Sequence, residues 1–353
     1  MGQRSFYLEG LIAISAVILI SFGLITLLSI DTNLFYPQLL SAVVGFILFL
    51  LFTRIDFALY QYFKSWLLGG SIILLLLSFL GPVVRGSTRW IEIFGLRMQP
   101  TEFVKPLFLL YTASFLIQYP PTSIKRVGIH FGLFTLIFLI IFRQPDLGSA
   151  IVYSCMWVGM MVMAGLPLRY IVGASILFGG LLPVFHVFLK DYQRQRIAIF
   201  LNPFIDPRGA GYNALQSMIS VGSGQLFGRG FGRGTQSLLR FLPERHTDFI
   251  FATFTEEFGF VGSLVLLLVF FILFWRILKA VNRRSVDQFA FLYGAGYFMQ
   301  LFAHVVINVG MNIGVVPITG ITLPFVSYGG SSLIATWIGL GIFVASLQKP
   351  RGE

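Results

Sequence analysis

Charged residues in this chain are separated by long uncharged runs, and that spacing restricts the fold more than any motif does. The runs are 10–30, 32–53, 65–84, 106–124, 127–142, 147–168, 170–189 and 258–275, followed by a stretch over 288–348. Most are close to the ~20 apolar residues that a helix needs to cross the hydrocarbon core of a bilayer. The last stretch is too long for one helix and is interrupted by Gly310, Gly314, Pro317, Gly320 and Pro324, which predicts two helices around a re-entrant or external loop. The spacing therefore predicts an all-α polytopic membrane protein of about ten transmembrane helices. Composition agrees: 56% hydrophobic and 11% charged residues, with a mean hydropathy of +0.85, exclude an ordinary water-soluble domain.

Orientation follows from the short loops, because cytoplasmic loops retain Lys and Arg during insertion. With the N-terminus inside, Arg54, Lys64, Lys125, Arg126, Arg169, Arg276 and Lys279 fall on the inner side, against Arg85, Arg89, Arg97 and Arg143 on the outer. Both termini are then cytoplasmic, and residues 190–257 form a large extracytoplasmic loop between helices 7 and 8 of a single domain spanning 1–353. This bias accounts for much of the +11 net charge, so nucleic-acid binding is a poor reading. No cleaved signal peptide is evident, and the one cysteine, Cys155, lies in a span without a disulfide or metal partner.

Three stretches hold the chemistry. In the first, Thr101 is placed to cap a helix whose first turns carry Glu102 and Lys105 on one face. Ionisable residues at a lipid boundary face a cavity, each other or a ligand; the plainer reading is an ion pair that locks the helix. The second is the long loop, where Arg229 and Arg233 alternate with glycines in a composition suited to phosphate, although no Walker motif follows. Next come Glu244, Arg245, His246 and Asp248, ahead of an aromatic run re-entering the membrane. Desolvation beside Phe249 and Phe251 suits Asp248 to act as a general base, against the alternative of a helix N-cap. Glu256 and Glu257 read as structural, through helix-dipole compensation or hydrogen bonding. The third stretch has Asn308, Asn312, Thr319, Ser327, Tyr328, Ser331 and Ser332 in charge-free surroundings, and predicts either a cavity lining or close helix packing.

Together these residues resemble the SEDS family, the RodA, FtsW and SpoVE group, and are closer to RodA. The likeness rests on Gln99 to Glu102 with Lys105, on Arg143 to Gly148, on Leu242 to Phe251 and on Asn308 to Ser332, and it covers nearly the whole chain. Gln225 departs from it, standing where a glycine is expected. The resemblance implies a peptidoglycan glycosyltransferase that polymerises lipid II at the outer face of the bacterial cytoplasmic membrane, partnered by a class B penicillin-binding protein. On the matching positions, Asp248 would deprotonate the acceptor 4-hydroxyl as it attacks C1 of the donor, and undecaprenyl pyrophosphate would leave. One essential carboxylate fits an inverting displacement to a β-1,4 bond. Lys105 would bind pyrophosphate, and Glu102 would orient it or help to hold a cation. Arg196, Arg229, Arg233 and Arg245 are the cations available to the leaving group, with His246, Ser327 and Ser331 as further substrate contacts.

No His/Cys cluster exists in the sequence, so a Mg²⁺ or Mn²⁺ ion would be held mostly by carboxylate and pyrophosphate oxygens, and no organic cofactor is implied. The rival from another class is a lipid II flippase, since broken helices and intramembrane charges also serve transporters. A non-catalytic scaffold would leave Glu102, Lys105 and Asp248 without a purpose.

Overall fold

The computed structural model describes residues 2–82, 87–93, 96–173, 198–209, 211–282 and 286–348, with 176, 180 and 194. Helices dominate. α1 (Gly2–Ile30) turns into α2 (Thr32–Phe52) at Asp31, whose carboxylate caps α2 by accepting from Asn33 N at 2.9 Å. A short α3 (Phe57–Tyr62) leads into α4 (Lys64–Leu77) and a closing 3₁₀ turn, Ser78–Leu80. Then follow α5 (Pro100–Gln118), α6 (Ile124–Arg143) and α7 (Leu147–Met163). The long loop contributes α8 (Tyr212–Ser223) and α9 (Thr235–Leu238), and the chain ends in α10 (Ile250–Val281), α11 (Gln288–Asn312) and α12 (Gly330–Ser346).

Five described helices are long and apolar enough to cross a membrane, and three shorter apolar helices (Trp66–Leu80, Leu147–Met163 and Gly330–Ser346) stand beside them. α5 is of similar length but carries Glu102 and Lys105. The final uncharged stretch is two helices around a loop, as the glycines and prolines imply. The expected span over 170–189 lies mostly outside the described residues. Large side chains fill the core, with Trp337, Tyr153, Tyr293, Tyr297, Phe270 and Phe343 all nearly inaccessible.

Three local features depart from the sequence reading. A small antiparallel hairpin, β1 (Ile91–Ile93) with β2 (Leu96–Met98), precedes α5 and pairs Glu92 with Arg97. Thr101 is not the cap of α5: the cap position is Gln99, Pro100 opens the helix, and the Thr101 hydroxyl is buried without a hydrogen-bond partner among the described residues. Proline's fixed φ suits the first helical position, so it sets the start two residues earlier than a Thr101 cap would. The re-entering helix begins at Ile250, inside the expected loop, and breaks at Gly259.

That break has a defined cause. Gly259 has φ 70° and ψ −168°, a region open essentially to glycine alone, and an added Cβ there would stand 2.2 Å from Gly228 N. The break lets the long loop bond back onto the helix, with Phe260 N donating to Gln225 O at 2.8 Å and Gly230 N to Glu257 O at 3.0 Å. Gln225 itself sits at φ 48°, a left-handed position that favours the glycine expected there. We expect Gly259→Ala to destabilise the fold by about 1–3 kcal/mol or more, from backbone strain plus the clash, read as a lowered melting temperature in detergent.

Candidate active site

Several helix ends converge at one end of the bundle through hydrogen bonds between the three sequence stretches. Gln99 N, at the start of α5, donates to Ser331 Oγ at the start of α12 (3.2 Å), and Ser331 Oγ donates to Arg97 O (3.3 Å). Gln99 Nε2 donates to Asp146 Oδ2 (3.1 Å), and Asp146 caps α7 by accepting from Ser149 N and Oγ. Arg89 Nη1 approaches Asp146 at 3.6 Å. Gly148 explains its place in the second motif, because a Cβ there would lie 2.7 Å from Thr319 O and from the Ile321 side chain. The α7 terminus and the 313–329 loop can therefore touch only through glycine.

Lys105 and Glu102 form a buried pair. Lys105 Nζ donates to Glu102 Oε1 at 2.6 Å, with the two residues 1% and 6% exposed. Lys105 also meets His304 Nε2 at 2.9 Å, and His304 Nδ1 lies 3.0 Å from Thr322 O. An ammonium only donates and a carbonyl only accepts, so His304 is the neutral tautomer with its proton on Nδ1. The carboxylate of Glu102 also faces Ser332, whose hydroxyl shares a hydrogen bond of 3.0 Å with Thr322 Oγ1.

Asp248 docks on the same elements from the other side. Its carbonyl accepts from Asn308 Nδ2 (2.9 Å) and Asn312 Nδ2 (3.1 Å), while Asn308 Nδ2 also donates to Ile321 O (2.7 Å). Ser327 Oγ donates to Thr247 O (2.7 Å), and Tyr328 N donates to His246 O (2.8 Å). His246 packs edge-on against Tyr328 with ring centroids 5.5 Å apart. The half-buried Asp248 carboxylate lies 3.4 Å from where a Cβ on Gly320 would stand. Asp248 does not cap α10, because the cap position is Phe249. The N-cap alternative therefore falls away.

His304, Asn308 and Asn312 are four residues apart on α11 and share one face. That face joins the two halves of the site: its inner member holds Lys105, and its outer two hold Asp248. Sequence reasoning named the two asparagines but missed His304 and Thr322; the regular spacing of His304, Asn308 and Asn312 was the signal available. It also missed Gln38 of α2, 2% exposed, which donates to Ser327 O (3.0 Å) and accepts from Gly329 N (3.1 Å).

The remaining candidates fall in different places. Ser327 and Ser331 each commit their single hydroxyl proton to a backbone carbonyl, so they can meet a substrate only as acceptors. Arg229 and Arg233 are exposed on the glycine loop. That loop is moulded from beneath by Glu256, whose carboxylate accepts from Gln236 N (2.8 Å), Ser237 N (3.1 Å), Thr235 Oγ1 and Ser220 Oγ. Glu256 thus compensates the N-terminus of α9 rather than of its own helix, while Glu257 accepts from Ser29 Oγ of α1 at 2.6 Å. Arg245 is part-buried; burial and the neighbouring Arg240 lower its proton affinity, opposed by Asp31. Arg196 lies outside the described residues. Among the described residues, no three His, Cys, Asp or Glu side chains come together as a metal-binding set.

Comparison with known proteins gives a consistent assignment. The family model described as cell cycle protein, for FtsW, RodA and SpoVE, matches residues 4–351. Peptidoglycan glycosyltransferase MrdB of Escherichia coli K12 is 38% identical over 324 residues, 91% of this chain and 87% of that protein. Stage V sporulation protein E of Bacillus subtilis 168 is 34% identical over 359 residues, 95% of each chain. A chain from the solved structure "Structural coordination of polymerization and crosslinking by a peptidoglycan synthase complex" matches with a TM-score of 0.86 at 29% identity, covering 97% of this chain and 98% of that one. The crystal structure of rod shape determining protein RodA from Thermus thermophilus matches with a TM-score of 0.73 at 26% identity over 97% of both chains. With the model match spanning nearly every residue and these relatives aligned over most of their length, the chain belongs to the FtsW, RodA and SpoVE family.

Proposed function

We propose that Asp248 is the general base with which this multi-pass membrane protein, a peptidoglycan glycosyltransferase, polymerises lipid II. The observation that carries the reading is the joining of Asp248 to the Lys105–Glu102 pair through one face of α11. The acceptor sugar's 4-hydroxyl gives its proton to the Asp248 carboxylate as its oxygen forms the bond to C1 of the donor. The bond from C1 to pyrophosphate breaks, and undecaprenyl pyrophosphate leaves with the electron pair. A single displacement inverts the anomeric centre to β-1,4 and needs no glycosyl-enzyme intermediate.

Charge then accumulates on the leaving pyrophosphate. Lys105 and Glu102 neutralise each other at 2.6 Å, so the pair adds little net positive field, although the ammonium keeps one N–H beyond its two partners. Stabilisation falls to Arg229, Arg233 and Arg245, to Arg196 in the same loop, and to the positive N-terminal ends of α5, α7, α10 and α12 gathered at the site. His246 flanks Asp248, Ser327 bonds the backbone beside it, and Ser331 ties the start of α12 to the start of α5. A divalent cation, Mg²⁺ or Mn²⁺, would be bound mainly through pyrophosphate oxygens, as no protein cluster of ligands meets there among the described residues. The reaction takes place at the outer face of the bacterial cytoplasmic membrane, with both termini inside and a class B penicillin-binding protein as partner.

Two predictions test these roles with purified protein, lipid II and the partner. Asp248→Asn is expected to lower glycan polymerisation by about 10²- to 10⁴-fold with unchanged melting behaviour; polymerisation at the original rate would refute the base. Labelled lipid II crossing vesicle bilayers at a rate unaffected by that substitution would favour the flippase instead. For the buried pair, single substitutions strand a charge, so the informative variant is Glu102→Gln with Lys105→Met, which removes both charges together. A catalytic role predicts a folded protein at least tenfold slower; a helix lock alone predicts a folded protein at the original rate.

A further inference from the structure

The segment that carries Asp248 is held in an unusual way. The carbonyls of His246, Thr247 and Asp248 are consecutive, and each accepts from the 308–328 part of the chain: from Tyr328 N, from Ser327 Oγ, and from both Asn308 and Asn312. Two donors saturate the lone pairs of the Asp248 carbonyl. The asparagines are fully buried and committed elsewhere as well. Asn308 Nδ2 reaches Ile321 O at 2.7 Å, Asn312 Nδ2 reaches Asn308 O at 2.7 Å, and Asn312 Oδ1 accepts from Ala252 N at 3.1 Å. One helical turn further in, the same face of α11 presents His304 to Lys105.

We infer that Asn308 and Asn312 are positioning residues for Asp248, and that α11 acts as a ruler setting the distance from the acid to the Lys105–Glu102 pair. The inference rests on the reading of Asp248 as the base. A rigid helix advances about 6 Å over four residues, so the spacing between the Asp248 peptide and the Lys105 ammonium is fixed by backbone geometry rather than by the mobility of a loop. A carboxylate held this way is offered to the acceptor hydroxyl in one place. Freeing its peptide leaves substrate binding intact while spoiling the approach, and a displacement of about 1 Å is enough to slow a reaction about 100-fold.

The test is Asn308→Asp, which keeps the side-chain shape but replaces an amide that donates to two carbonyls with a carboxyl that can donate to one at most. Asn312→Ser, which withdraws one of the two donors to Asp248, is run alongside it. Polymerisation kinetics with lipid II and the partner, together with melting in detergent, are measured for both and for Asp248→Asn. The expected result for Asn308→Asp is a kcat lowered about 10- to 100-fold with KM for lipid II within about threefold of the original. Asn312→Ser is expected to show a smaller loss of the same kind. An original kcat in a folded Asn308→Asp protein overturns the inference, as does a rise in KM at constant kcat. Should Asn308→Asp fail to fold, Asn312→Ser decides: original kinetics there overturn the inference and a lowered kcat supports it. The two readings fail separately: full activity in Asp248→Asn removes the base, whereas a dead Asp248→Asn beside a normal Asn308→Asp removes only the ruler.

Discussion

A polypeptide that leaves helical conformation within a bilayer must satisfy its backbone polar groups from inside the protein, because no water is available to do so. The buried part of the 313–329 loop meets this demand in part through backbone bonds, such as Ser327 N to Leu323 O, and in part with side chains. Asn308 binds Ile321 O, His304 binds Thr322 O, and Ser327 Oγ accepts from Leu323 N at 2.8 Å. Gln38 reaches across from α2 to serve both Ser327 O and Gly329 N. The polar residues in this region are therefore the means by which an irregular segment persists among apolar helices. Having been placed there for that reason, they also bind Asp248 and Lys105, so the architecture and the site depend on the same bonds.

The electrostatic arrangement follows from this. A buried ammonium and carboxylate at 2.6 Å form a neutral unit, which the membrane region tolerates far better than either charge alone. Asp248, at the mouth of the same notch, is only half-buried and keeps access to water. The pair is thus suited to holding fixed dipoles and hydrogen bonds, and the carboxylate near water is suited to exchanging a proton. The positive field for a pyrophosphate has to come from helix ends and loop arginines, where charge costs little to maintain.

Much of this was legible in the sequence, and the exceptions have physical reasons. Spacing between charges located the helices because a bilayer punishes a misplaced charge by several kcal/mol. Glu102, Lys105 and Asp248 stood out because each is a charge beside a long apolar run. His304 did not: it was neither charged nor part of a recognisable motif, and its role emerges only when α11 is wound and its partners come from α5 and residue 322. Gln38 was hidden for the same reason, being separated from its partners by nearly the whole chain. The start of α5 was misjudged because Thr101 obeys a capping preference that Pro100 overrides. Glu256 was correctly seen as structural, but the helix it stabilises lies in the loop above it, a tertiary relation that local sequence does not encode.

The direction in which the notch closes separates polymerisation from transport. Asn312, Asn308 and His304 descend along the last turns of α11, a depth of about 12 Å, and the buried amide of Gln300 follows one turn further in. Below it, Tyr297 and Tyr293 turn their hydroxyls to Thr336 O (2.9 Å) and Gly339 O (3.0 Å) of α12, and their rings pack with Phe343 and Phe57. Leu109 and Met160 pack at Gly296 of the same helix, and Leu301 and Leu340 are buried too. α5, α7 and α11 carry no acidic or basic side chain other than Glu102, Lys105 and His304. Carrying a pyrophosphate past this level would require its charges to be shed or matched where α5, α7 and α11 offer no cationic side chain. A reaction centre open at one end requires only what this structure has: a half-buried acid at the mouth, a rigid polar wall behind it, and no charged side chain of α5, α7 or α11 below.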